Sequence, residues 1–393
     1  MKLLQHLKFV LGLVVVAGLA ACGGGGSGGG GGTSADSGTL RLAMTDAPSC
    51  GYDAVNVTVV KVRVHQNSNA GENDGGWSEI VLNPARRVNL LNLTNGVLDE
   101  LGQIPLPTGK YTQLRLVLAD NGGATPFANS VVLTGGSEVA LKTPSGQQSG
   151  VKANINIDIA ANQLADFVID FDACKSVVVA GGSGKYLLKP VVAVIPRYIS
   201  GVSGYVDFAT LGNGFTNLSL QQSGVVVKAT VPDNAGRFLL QPVAPGAYTL
   251  VMTAPGRTTM VVTNVSVSAG SVTPINAFGP ALSSPVSLSG TVTGTAPADT
   301  LVRVQQPLSV GLSVEVAGRF VDSVTGVYSY PLVVNAPLVA PFVASPASLV
   351  FVADAPAAGK YALKASLNGF FDQTTVLAPL VSGLTIATHF SFP

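Results

Sequence analysis

The feature that most constrains this chain is a strict alternation of apolar and polar residues. Val151, Ala153, Ile155, Ile157 and Ile159 are separated by Lys152, Asn154, Asn156 and Asp158. A period of two sends these sets to opposite faces of a β-strand, whereas a helix would scatter both around its circumference. Phe167, Ile169 and Phe171 alternate with Asp166, Asp170 and Asp172 in the same way. Strands with one dry and one wet face belong to antiparallel sheets. Between Ala54 and His65, Val55, Val57 and Val59 share one parity, and Val60, Val62 and Val64 share the other. That switch predicts a bulge. One short helix is predicted, over Leu93–Leu101. The expected fold is all-β, with tandem antiparallel β-sandwich domains in a row.

Composition narrows the function. Charged residues make up 11% of the 393, against roughly 25% in ordinary soluble domains. Of the 22 Lys/Arg and 21 Asp/Glu, 15 and 14 lie in residues 1–199, and 7 and 7 in residues 200–393. The surface of the second half must therefore be covered by neutral polar residues. A net charge of +1 with no basic cluster argues against nucleic acid as a partner.

The N-terminus addresses the chain. Lys2 and Lys8 precede an uncharged, mostly apolar run, Phe9–Ala21. That run is shorter than the roughly 20 residues a membrane-spanning helix needs, and it has the order of a signal peptide. Leu19-Ala20-Ala21-Cys22 resembles the lipobox of bacterial lipoproteins. The resemblance implies cleavage before Cys22 and a lipid on its thiol. Gly23 follows the cysteine, where an aspartate would imply retention in the inner membrane. The outer membrane is the implied destination, on its periplasmic or cell-surface face. Residues 1–21 are read as the signal peptide and 22–38 as a Gly-rich flexible linker. Gly25-Gly26-Ser27-Gly28-Gly29 matches the G-x-S-x-G hydrolase pattern in letters only, because polyglycine supplies neither the strand nor the helix that this elbow needs.

Cys50 and Cys174 are left once Cys22 is lipidated. Two leftover cysteines in an exported chain most often pair. A disulfide is expected, with a metal pair or free thiols as alternatives.

Two family resemblances follow from ordered motifs. Leu42-Ala43-Met44-Thr45-Asp46-Ala47-Pro48 opens residues 39–199. Trp77, Arg87-Val88-Asn89-Leu90-Leu91-Asn92, Leu106-Pro107-Thr108-Gly109-Lys110-Tyr111 and Leu188-Lys189-Pro190-Val191-Val192 come after it in order. This stretch resembles the lipoprotein family of domain of unknown function 4382. The resemblance implies export, lipid anchoring and a sandwich-like fold, and no activity. In residues 200–283, Asp233-Asn234-Ala235-Gly236-Arg237-Phe238 precedes Pro245-Gly246-Ala247-Tyr248-Thr249-Leu250. That pair of strands resembles the carboxypeptidase regulatory-like (transthyretin-like) domain, a small non-catalytic sandwich. The G-x-Y phrase recurs at Gly359-Lys360-Tyr361, so residues 284–393 are read as a diverged copy. Pro331, Pro337, Pro341, Pro346 and Pro356 interrupt that copy and predict an irregular or edge-strand excursion.

Catalytic constellations are sparse. The three histidines are His6, His65 and His389, and no metal-type His or Cys spacing occurs. Asp170 and Asp172 share one strand face about 7 Å apart, a spacing that suits Ca²⁺. The other reading of the same pair is a polar sheet face that resists edge pairing. No other cofactor is expected. Trp77, between Gly76 and Ser78, is read either as a stacking platform for a sugar or as a lid over one end of the sandwich.

The expected function is that of a lipid-anchored, non-catalytic cell-envelope binding or scaffold protein. Its partners would be the membrane, through the anchor, and a glycan or an envelope protein. The alternatives are an accessory part of an envelope carbohydrate- or peptide-processing hydrolase and a purely structural spacer. The anchor is directly testable. Labelled palmitate is expected to enter the wild-type protein and to be absent from Cys22→Ser, and label in both would remove the anchor.

Overall fold

The computed structural model describes residues 36–46, 51–144, 149–211, 216–344 and 347–393. The signal peptide, Cys22, most of the Gly-rich linker and Cys50 lie outside the described residues.

The first sandwich is built from β1 (Ser37–Asp46), β2 (Tyr52–His65), β3 (Ser78–Asn89), β4 (Asp99–Pro107), β5 (Gly109–Leu118), β6 (Ser130–Leu133), β7 (Glu138–Lys142), β8 (Val151–Ile159), β9 (Leu164–Phe171), β10 (Val177–Val179), β11 (Tyr186–Leu188) and β12 (Val192–Pro196). One sheet runs β12-β9-β1-β4. The other runs β10-β11-β7-β6-β2-β5-β8, with β3 also paired to β2. Their inner faces enclose one core, in which Leu40, Leu42, Val57, Leu90, Ile157 and Phe171 are fully buried. The alternation read from the sequence holds along the whole of β8. The register of β2 slips between Val59 and Lys61 against both of its long neighbours, which is the bulge marked by the valine parity. The helix is displaced. It is a single 3₁₀ turn, Leu90–Leu93, with the Asn89 side chain accepting from the Leu91 N–H. Asn95 and Gly96 then take φ of 56° and 75°. A left-handed pair stops a right-handed helix, and β4 follows.

The second sandwich comprises β13 (Gly201–Tyr205), β14 (Asn217–Gln222), β15 (Val225–Thr230), β16 (Arg237–Leu240), β17 (Gly246–Ala254), β18 (Arg257–Val267) and β19 (Val272–Pro274). The remaining strands are β20 (Ser289–Thr295), β21 (Leu301–Pro307), β22 (Ser313–Phe320), β23 (Val327–Val333), β24 (Leu338–Pro341), β25 (Val352–Ala353), β26 (Ala362–Ser366), β27 (Gln373–Val376) and β28 (Thr385–Ala387). The small sheets are β16-β13-β19 and β23-β20-β28. The larger ones are β15-β14-β17-β18 and β22-β21-β26-β27. The two orders correspond strand for strand once β24 and β25 are set aside. The repeated phrase has a common role in these sandwiches: Tyr248 and Tyr361 are both buried and donate their hydroxyls to backbone carbonyls, of Ala244 at 2.8 Å and Val333 at 2.6 Å.

The proline-marked excursion leaves its own sandwich. β24 lies parallel to β18, with Val262 opposite Ala340, and β25 pairs with β24. The second sandwich thus carries a six-stranded sheet completed by strands inserted in the third. Parallel pairs also join β1 to β9, β7 to β11, β13 to β19 and β20 to β28. Parallel neighbours need a long crossover. In β1–β9, β13–β19 and β20–β28 the intervening strands of the facing sheet supply it.

The sandwiches do not stand in a simple row. The third packs against both others, so the chain folds back on itself. Val251 and Val261 of the second meet Leu308, Val314 and Ala357 in a separate apolar cluster. Asp322 of the third accepts from the Gly181 N–H of the first at 2.9 Å, and Ser323 N–H donates to Val179 O at 3.0 Å. Among the described residues no helix is long and apolar enough to cross a membrane.

Candidate functional site

The alternating strand β9 ends in charge. Asp170 and Asp172 flank Phe171, and a one-turn helix, α1 (Ala173–Ser176), follows at once. Asp172 caps that helix, accepting from the Lys175 N–H at 2.9 Å. Asp46, at the end of the neighbouring β1, accepts from the Ala173 N–H at 2.9 Å. Strand ends and a helix start therefore gather three carboxylates at one edge of the first sandwich.

Lysines from within the fold answer two of them. Lys228 of β15 reaches Asp170 at 2.7 Å, with the two side chains 2% and 10% exposed. Lys175 lies 3.4 Å from Asp172 and 3.0 Å from Glu315 of β22. Gln221 of β14 closes the set against the third sandwich: its Nε2 donates to Glu315 O at 2.7 Å, and its Oε1 accepts from Glu315 N–H at 2.8 Å. Asp170, Lys175 and Gln221 thus tie the three sandwiches pairwise at one buried junction. Asn95 supports it, accepting from the Leu239 N–H and donating its own N–H to Thr230 Oγ1, each at 2.9 Å. Both acids proposed for Ca²⁺ are engaged by protein cations. Among the described residues no group of three or more His, Cys, Asp or Glu side chains is arranged to hold a metal.

Burial sets the protonation of the junction. Asp46 is fully buried, and its pKa is pushed well above the usual carboxylate range, first by burial and then by Asp172 and Asp170. Among the described residues its Oδ2 has no hydrogen-bond partner. Asp170 is also raised by burial, which the nearby Lys228 only partly offsets. Burial lowers the Lys175 ammonium, but Asp172 and Glu315 outweigh it and hold the pKa above its usual value.

Trp77, His65 and His389 each have partners within the fold. The Trp77 ring lies across the guanidinium groups of Arg63 and Arg115, at 4.6 and 4.9 Å, and its Nε1 donates to Gly71 O at 2.9 Å. His65 packs beside it at 5.0 Å between ring centres. The Nδ1 of His65 accepts from the Asn67 N–H, so Nε2 carries the proton and donates to Gly75 O. Neither ring nitrogen is left to serve as a base. His389 Nδ1 is 2.8 Å from Thr295 Oγ1, in the third sandwich.

Beside the junction, the first and third sandwiches leave a cleft of about 760 Å³. Much of its lining comes from β10, β22 and β23, each the outermost strand of its sheet, with Tyr52 of β2 and Asn217 of β14 at its margin. Its walls are chiefly valines and aromatic rings, among them Tyr52, Phe320 and Tyr330. Arg319 and Asp322 are the charged side chains of the lining. The Arg319 guanidinium stacks 4.8 Å over Tyr330, and the Arg319 backbone N–H donates to the Tyr330 hydroxyl at 3.0 Å. Burial pushes Tyr52 up to about 12 and Tyr330 higher still, so both phenols stay neutral. No sequence pattern pointed to this cleft. Its walls come from residues more than a hundred positions apart, and only the fold-back of the third sandwich brings them together.

Two outcomes follow from the junction. Lys228→Met strands a buried carboxylate and is expected to cost about 3–5 kcal/mol in urea unfolding, while Lys228→Met with Asp170→Leu recovers most of the loss. Asp46 and Asp170 hold their protons more tightly folded than unfolded. Their contribution to stability is therefore complete below the ordinary aspartate value of 3.8 and declines as pH rises through the raised folded values. The thermal midpoint of Asp46→Asn relative to wild type is expected to climb as pH goes from about 4 towards neutral. A flat difference would show that Asp46 ionises normally.

No curated protein matches the chain. Among solved structures, an interface mutant of a type II cohesin–X-dockerin complex from Acetivibrio cellulolyticus is 25% identical. That match covers 22% of this chain and 58% of that one, with a TM-score of 0.19. The Bacillus anthracis TIE protein is 11% identical over 91% of this chain and 51% of that one, with a TM-score of 0.18. The Corynebacterium diphtheriae major pilin SpaA is 9% identical over 90% and 99%, with a TM-score of 0.19. The chain thus spans less than two thirds of the first two. Residues 37–190, which contain the first sandwich up to β11, match the family described as Domain of unknown function (DUF4382).

Proposed function

We propose that this chain is a lipid-anchored, non-catalytic binding or scaffold protein of the cell envelope, with the cleft between its first and third sandwiches as the ligand site. The cleft carries the reading. It is concave, more apolar than polar, and set between packed modules, which are attributes of ligand sites generally. The buried junction beside it fixes the two walls relative to each other, so binding would not have to order them. The non-catalytic part of the reading is supported by the occupation of both His65 nitrogens and of the β9 carboxylates by structural partners.

The envelope location is supported by the lipobox-like Leu19-Ala20-Ala21-Cys22 and by Gly23, which favour an outer-membrane anchor. In this reading Cys50 and Cys174 form a disulfide. Asp46 and Phe171 are register partners on β1 and β9, and the two cysteines follow these strand ends at short distances in the chain. Such a bond would brace the carboxylate-rich edge in an oxidising compartment.

Filling the cleft tests the site. Ser329 lines it and is half-buried. Affinity capture from envelope extracts with the lipidated wild-type chain is expected to recover a partner that Ser329→Trp, folded to the same thermal midpoint, loses. Equal recovery by both would remove the cleft from the function.

A further inference from the structure

The geometry of the cleft walls narrows what can occupy it. β10, β22 and β23 are all sheet edges. An edge strand presents backbone N–H and C=O groups with no neighbouring strand to meet them. Part of this edge is already used: Val179 O accepts from Ser323 N–H, Glu315 is met by Gln221, and Arg319 N–H by Tyr330. The stretch Val316–Gly318 of β22 and Ser329 of β23 still face the cleft. This chain also shows how such an edge is covered elsewhere. The outer edge of β18 is filled by β24, an extended apolar segment, Leu338-Val339-Ala340-Pro341, laid alongside it.

Charge selects further. Arg319 is exposed, and among the described residues none of the ion pairs includes its side chain. The other charge of the lining, Asp322, is satisfied. Its carboxylate accepts from the N–H groups of Gly181, Val324 and Thr325. Burial would raise its pKa, but these bonds outweigh burial and hold it below the usual range. A guanidinium with no carboxylate partner among the described residues, backed by an aromatic face over a valine-rich floor, favours an anion carried on an otherwise apolar strand.

We propose, resting on the cleft reading above, that the occupant is an extended segment of a partner protein. It adds as a β-strand to the open edge of β22 or β23 and places a carboxylate on Arg319. Backbone hydrogen bonds supply affinity, the valine and tyrosine walls take alternate side chains, and Arg319 sets register.

The probe is a synthetic peptide, Thr-Val-Glu-Val-Thr-Val, bearing a benzophenone photo-crosslinker at its N-terminus, added to the full lipidated chain in nanodiscs. Adducts are mapped by peptide mass. The expected result is labelling within residues 313–333 or 177–182. It should fall about tenfold when Gln replaces the peptide's Glu or when the protein carries Arg319→Gln, the size of one lost charge-assisted hydrogen bond. Arg319→Lys should recover part of it. N-methylation of alternate peptide amides should abolish labelling if they face the edge, and leave it if the opposite set is methylated. Labelling in the cleft that ignores both N-methyl sets overturns strand addition while leaving the cleft as a binding site. Labelling indifferent to the Glu and to Arg319 overturns the anionic requirement. No adduct in the cleft from any peptide overturns this proposal. A dimer in sedimentation that the peptide dissociates assigns the cleft to a second copy and overturns the heterologous partner.

Discussion

The buried ion pair between Lys228 and Asp170 is the constraint on which the arrangement of this molecule turns. Removing two charges from water costs several kcal/mol each, and their attraction repays that only when geometry and further hydrogen bonds are good. The raised pKa of Asp170 shows burial outweighing its lysine. The pair therefore does little for net stability and much for uniqueness. An apolar contact between sandwiches tolerates sliding, whereas a lysine and a carboxylate facing each other at 2.7 Å admit one alignment. Lys175, bridging Asp172 and Glu315, makes the same demand on the third sandwich. The cleft is a by-product of that exact docking: its two walls belong to modules whose relative position is fixed beside it.

Much of the fold was legible in the sequence because it depends on local periodicity. The alternation in Val151–Ile159 needs no knowledge of the rest of the chain, and neither does the parity slip at Val59-Val60. The G-x-Y phrase marked strands whose tyrosines are buried, because a ring anchored to a backbone carbonyl needs a fixed approach to the strand. The helix expected over Leu93–Leu101 failed on a local rule given too little weight: Asn95-Gly96 favours a left-handed turn over continued helix. Its asparagine then serves the contact with the second sandwich.

The site was much less legible. Asp170 and Asp172 stood out as paired carboxylates, which is correct as chemistry, yet their partners come from residues 58 positions away and from the same turn. Spacing along one strand cannot distinguish a cation supplied by solvent from an ammonium supplied by another module. Trp77 was likewise visible as an unusual aromatic in a glycine-rich loop, but Arg63 and Arg115, register partners on β2 and β5, were not visible as its support. The five prolines between Pro331 and Pro356 announced a segment unfit for a central strand. They did not announce where it would go.

The destination of that segment has a mechanical consequence. Because β24 and β25 are inserted within the third sandwich and completed in the sheet of the second, no cut between β19 and β20 yields two intact parts. Tension applied along the chain would load the β18–β24 contact lengthwise, across all its backbone bonds together, and not peel them one by one. Two beads that look separately threaded are in fact stitched, and a shortened variant lacking the last hundred or so residues would leave the second sheet frayed at the place where it is now hemmed.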